Sequence, residues 1–256
     1  MPLVYPARPI RDEDRPRSGL GRVGAACQDE GMPEALVLDA DAVLWSTDRS
    51  AIAGRHLLLL LHGYGADEHD LYPLRSYLPD AFAVASLAAP LVPPWPAPGR
   101  SWYPIDGLDG RDPSHTTRAA EAVIAWVDAH AEGAASVGLL GFSQGAAVSL
   151  QAMRLDPPRF SFAVNLSGYV TPGDLPKDGE LAERRPPVFW GRGTNDDVIP
   201  GFLVEHTTQW LPERVVLSGR VYQGLTHSVS EQELDDVRIF LDKQLEELEG
   251  DTAPDR

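Results

Sequence analysis

Short unbroken apolar runs alternate along the chain with longer stretches in which apolar residues recur every three or four positions. Buried strands interleaved with amphipathic helices have this pattern. The run at 56–61, HLLLLL, is too short to cross a membrane as a helix and predicts a central strand covered on both faces. Further strands are predicted over 82–87, at Val137, Leu139 and Leu140, and over 162–166, 188–190 and 220–222. Helices are predicted between them over 71–78, 114–132, 146–155 and 202–211. In the second helix Pro113 stands at the start, and Ala119, Ala122, Val123, Trp126 and Val127 share one face. A last helix opens on a capping box of Ser230 and Glu233 and lines up Leu234, Val237, Leu241, Leu245 and Leu248. Ahead of these elements, the run at 35–45, ALVLDADAVLW, is split at 39–41 and predicts two short strands or a hairpin at an antiparallel sheet edge. The stretch 171–186, charged and proline-bearing, predicts an exposed excursion. The fold class is α/β, a mostly parallel central sheet flanked by helices on both faces.

At 256 residues the chain is of ordinary length for one α/β domain, here read as 34–250. Residues 1–33, rich in proline, arginine and acidic side chains, show no stable period and are expected to form a mobile extension; Met32 is an alternative start. Residues 251–256 are expected to fray. An excess of 38 acidic over 22 basic residues gives a formal charge of −16, which repels phosphate backbones and anionic headgroups. Nucleic acid is excluded as a partner on this ground, and no run has the length of a membrane span. Cys27 is the single cysteine, and the N-terminal stretch lacks an apolar signal core, so a cytoplasmic location is expected.

Chemistry concentrates at strand ends. Gly141, Phe142, Ser143, Gln144 and Gly145 form a GxSxG motif between an apolar strand and a small-residue helix, the context of a nucleophile elbow. A serine hydroxyl needs an imidazole to take its proton, and the imidazole needs a carboxylate to fix its tautomer. Asp196 follows the strand over 188–190 and His227 follows the strand over 220–222, so Ser143, Asp196 and His227 occur in the chain order of α/β-hydrolases. His206 also lies after the acid but within a predicted helix. The first strand empties into His62, Gly63, Tyr64 and Gly65, a glycine turn able to aim backbone amides at an oxyanion. His62 itself is read as a local hydrogen-bonding residue, and the group His62, Asp67, His69 and Asp70 matches no metal-ligand spacing. The proline-rich loop after residue 87 carries Trp95, Trp102 and Tyr103. Trp102 and Tyr103 either wall an apolar pocket or cover the sheet edge, and Trp95 is read as cover.

LLLHGYGADEHDL, GFSQG, WGRGTNDDVIP and VYQGLTHSVS together resemble the carboxylesterase/phospholipase branch of the α/β-hydrolases, which includes the acyl-protein thioesterases. The resemblance covers roughly 35–248. It implies an α/β-hydrolase fold and esterase chemistry on small or medium acyl esters, with acyl-thioesterase or lysophospholipase activity as the alternative. A non-catalytic binding protein on the same fold is a further alternative. The family pattern GxxDxxxP falls on Gly193, Asp196 and Pro200, which selects Asp196 over Asp197. The family similarly implies oxyanion amides on Tyr64 and Gln144, and Tyr64 stands where thioesterases usually carry leucine. No cofactor or metal is implied. The expected partner is a small-molecule ester, without stable membrane insertion, and a homodimer is compatible with this reading.

Overall fold

The computed structural model describes residues 35–105 and 114–251. The expected extension at 1–33 lies outside the described residues, as do 252–256 of the tail expected to fray at 251–256; Asp251 itself is helical. One sheet is built from β1 (Val43–Trp45), β2 (His56–Leu61), β3 (Ala83–Leu87), β4 (Ser136–Phe142), β5 (Phe162–Leu166), β6 (Pro187–Gly193) and β7 (Val216–Tyr222), in the order β1-β3-β2-β4-β5-β6-β7. All neighbours are parallel except β1 on β3, where Val43 pairs with Leu87 and Trp45 with Ala85. The five leucines of β2 show why the run is continuous. Leu57, Leu59 and Leu61 enter the core on one face and Leu58 and Leu60 the core on the other, all of them fully buried.

Among the described residues five α-helices cover the sheet: α1 (Ser114–His130), α2 (Gln144–Leu155), α3 (Asp178–Arg184), α4 (Gly201–Arg214) and α5 (Glu231–Asp251). Side chains of α1 to α4, among them Val123, Val148, Leu181 and Leu211, build the core on one face. α5 covers the opposite face with Leu234, Val237, Leu241 and Leu245, joined by Leu71, Leu74 and Leu78. Ser230 Oγ accepts the Glu233 amide at 3.1 Å, one half of the expected capping box. Among the described residues no helix is long and apolar enough to cross a membrane.

Three expectations change. The segment 71–78 is a 3-10 helix over Tyr72–Tyr77 instead of an α-helix, since Pro73 lacks a donor amide and Pro79 disfavours α geometry at Leu78. The two short strands or hairpin expected over 35–45 reduce to β1 alone: Asp39 Oδ1 accepts the Asp41 amide in a turn, and among the described residues no strand pairs with those before it. The excursion over 171–186 is tied down from below by Arg154. This guanidinium, buried in α2, donates to both carboxylate oxygens of Asp178 at 2.8 Å, to Thr171 O at 2.7 Å and to Gly173 O at 2.6 Å.

Candidate active site

Ser143 joins β4 to α2 with φ 53° and ψ −114°, a conformation that costs a non-glycine residue about 1–3 kcal/mol and must be imposed from outside. The glycines of the motif make that possible. A Cβ on Gly145 would run into the Leu61 carbonyl, and one on Gly141 would stand 2.5 Å from the Ala146 nitrogen. The Ser143 amide donates to Leu166 O at 2.8 Å, which fixes the elbow to the end of β5.

His227 and Asp196 arrive from the loops after β7 and β6. His227 Nδ1 lies 2.8 Å from Asp196 Oδ2, and Nε2 lies 2.8 Å from Ser143 Oγ. Asp196 can only accept, so Nδ1 carries the proton and Nε2 is left to receive one from the serine hydroxyl. Asp196 Oδ1 also accepts the amides of Val198 at 3.0 Å and Ile199 at 3.2 Å. Burial alone would raise this carboxyl, but the hydrogen bond and charge of His227, with those two amides, hold it below the usual aspartate range. Asp197, its neighbour, is exposed. The two loops are laced together: Thr194 N donates to Tyr222 O at 3.0 Å, Asn195 N to Leu225 O at 2.9 Å, and Gly224 N to Thr194 Oγ1 at 2.8 Å. A Cβ on Gly193 would run into the Leu225 carbonyl.

The turn after β2 passes over Ser143. A Cβ on Gly63 would lie 3.6 Å from Ser143 Cβ. Tyr64 follows it, and Gly65 N donates to Arg100 O at 2.9 Å while Arg100 N donates to Ala66 O at 2.7 Å, so this turn is braced by the next loop. Gln144 begins α2, where the first amides of a helix lack an intrahelical acceptor. His62 is buried between two backbone groups. Ala89 N donates to its Nε2 at 3.0 Å and its Nδ1 donates to Gly63 O at 2.7 Å; burial holds its pKa below the usual histidine value.

Trp102 and Tyr103 do not wall a cleft. They are 0% and 1% exposed, because their polar groups are drawn inward. Trp102 Nε1 donates to His62 O at 2.8 Å, Trp102 N donates to Gln144 Oε1 at 2.8 Å, Gln144 Nε2 donates to Tyr103 O at 2.7 Å, and the Tyr103 and Tyr169 hydroxyls are 2.7 Å apart. The pair locks its loop against the elbow. Trp95, read as cover, is 92% exposed. Of the acidic group near the first turn, Asp67, Glu68 and His69 approach within 4.8 Å; Asp67 Oδ1 accepts the His69 amide, as in a local turn.

One feature escaped the sequence reading. A cavity of about 410 Å³ adjoins Asp196, lined by Ser167, Gly168, Arg192, Thr194, Pro200 and Val204 among others. Its residues come from two separated stretches, 167–168 and 192–204, and the one sequence sign was a charged Arg192 between two glycines where an apolar strand residue is normal.

The family model for phospholipase/carboxylesterase matches residues 47–245. Carboxylesterase SOBER1 of Arabidopsis thaliana is 28% identical over 209 residues, covering 75% of this chain and 91% of that protein. Acyl-protein thioesterase 1 of Saccharomyces cerevisiae is 33% identical over 109 residues, 41% of this chain; the match spans only 48% of the yeast protein's length. Among solved structures, Arabidopsis SOBER1 superposes with a TM-score of 0.63 at 26% identity, covering 75% of this chain and 100% of that one. Esterase PE8 does so with 0.62 at 27%, covering 82% and 99%.

Proposed function

Because the chain belongs to the phospholipase/carboxylesterase family, we propose that it is a serine carboxylic-ester hydrolase working through Ser143, His227 and Asp196. The observation that carries this reading is the continuous pair of 2.8 Å contacts from hydroxyl to imidazole to carboxylate. In the first step the Ser143 Oγ–H proton passes to His227 Nε2 as Oγ bonds to the ester carbonyl carbon. Negative charge then gathers on the carbonyl oxygen, where the backbone amides of Tyr64 and Gln144 receive it. Collapse of this adduct breaks the carbon–oxygen bond, and His227 returns its proton to the departing alcohol. Water, deprotonated by the same imidazole, releases the acid and restores Ser143. Every proton and electron pair is carried by groups of this chain, by substrate or by water.

Ser143→Ala is expected to abolish turnover of a short p-nitrophenyl ester and labelling by a fluorophosphonate while leaving the unfolding midpoint near wild type. Retained turnover would remove Ser143 from the mechanism. The yeast relative's name makes a thioester the alternative substrate class. A series of esters and matched thioesters of increasing acyl length separates the two.

A further inference from the structure

The mechanism makes no use of the cavity beside Asp196. That cavity lies between the ends of β5 and β6 and the first turn of α4. It is close to the nucleophile, since a Cβ on Gly168 in its wall would stand 3.0 Å from the Ser143 carbonyl oxygen. Its volume, about 410 Å³, is sufficient for a short functionalised chain.

The polar groups around it are undersatisfied. Arg192 is the one basic residue in the lining. Strand alternation turns it away from Glu233, which lies on the Gly191 side, and toward Trp190, whose ring centroid is 5.7 Å from its Cζ. Its hydrogen bond among the described residues is a long one, Nη1 to Gly193 O at 3.5 Å, and its Nε is buried without a partner. Ser167, 1% exposed and held at φ 49°, has an Oγ that is likewise unpartnered. The positive end of the α4 dipole opens on the same space at Gly201. A half-buried guanidinium with one long hydrogen bond and a buried hydroxyl without an acceptor are costly unless something else supplies the missing bonds. The two carboxylates in the lining do not: Asp196 is committed to His227, Val198 and Ile199, and Asp197 is exposed to water.

We propose that this cavity is a substrate subsite for a carboxylate carried on the acyl or alcohol arm of the ester, with Arg192 as its principal partner and Ser167 as a second donor. The proposal rests on the esterase reading and names the class of ester that the site prefers. Two matched pairs test it by pH-stat. Monomethyl adipate against methyl hexanoate places the charge on the acyl arm, and 4-acetoxybutyrate against pentyl acetate places it on the alcohol arm. In wild type, kcat/KM for the charged member of one pair should exceed its neutral counterpart by about tenfold or more, the size of one charge-assisted hydrogen bond. Arg192→Gln should bring that ratio toward one, chiefly through KM, and Arg192→Lys should keep part of it. A wild-type ratio of one or less in both pairs would overturn the subsite, as would an unchanged ratio in Arg192→Gln or a preference for a matched cationic ester. Calorimetric binding of adipate to Ser143→Ala tests the pocket without turnover, and the absence of binding there also counts against it. Loss of all ester turnover together with retained adipate binding would fault the esterase reading and leave the subsite standing.

Discussion

Strain and close approach are concentrated on a few residues around the nucleophile, so single atoms matter there. Gly145→Ala would drive a methyl into the Leu61 carbonyl and to 2.5 Å from the His62 carbonyl, and backbone cannot yield as a side chain can. A loss of about 1–3 kcal/mol in urea unfolding is expected, together with a drop in kcat for any ester tested. Glu233 is a different kind of special residue. It is fully buried, and burial pushes its carboxyl up to about 8, with the charge of Asp236 adding to the rise and the Ser230 backbone amide pulling the other way. The folded protein therefore holds a proton that the unfolded chain releases near 4.5. Its contribution to stability is full below that pH and is lost as pH rises through about 8. Glu233→Gln should flatten the decline in Tm between pH about 5 and about 9 relative to wild type; parallel profiles would exclude Glu233 as its source. Much of the candidate site was legible because nucleophile, acid and base each follow a recognisable apolar strand. Trp102 and Tyr103 were not, because sequence shows that a loop is aromatic but not which way its rings turn. The Arg192 cavity was hidden for a similar reason, since its lining joins residues 167–168 to the stretch 192–204, and only the folded sheet brings them together.

At the level of elements, sequence reading did best where one physical effect dominated. The limits predicted for β2 and β5 match the observed ones because an unbroken apolar run leaves one option. It did worst where two effects competed. Around Pro73 and Pro79 the apolar spacing argued for an α-helix and the missing donor argued against it, and the chain compromised on a tighter turn. In α3 the charged residues read as solvent-facing, although Asp178 serves the buried Arg154 and Leu181 is 1% exposed. Only the partner explains the charge, and that partner lies 24 residues upstream. Asp178→Ala leaves the guanidinium buried beside two carbonyls with no counter-charge. It should cost about 3–5 kcal/mol in equilibrium unfolding and open the segment before α3 to limited proteolysis. A change within experimental error would mean that Arg154 is satisfied by Gln151 Oε1, Thr171 O and Gly173 O without a counter-charge.

For the molecule as a whole, a formal charge of −16 on 256 residues sets the electrostatic background against which every local pair acts. Like charges repel through the compact state more than through the open one, and added salt weakens that repulsion. Raising NaCl from about 20 mM to about 200 mM at neutral pH should therefore raise Tm; a fall would show that attractive pairs such as Arg154–Asp178 outweigh the net field.

The lacing of the Asp196 and His227 loops also constrains motion during turnover. Three hydrogen bonds and a glycine that admits no side chain bind those loops to each other, whereas Ser143 is anchored to β5. Imidazole and carboxylate are thereby tied to one another through their loops as well as through their own hydrogen bond, whereas His227 meets the Ser143 side through one 2.8 Å contact and the Phe142 ring. In the reaction proposed above, a widening between His227 and Ser143 as the alcohol leaves would keep the Nδ1 proton on the Asp196 side.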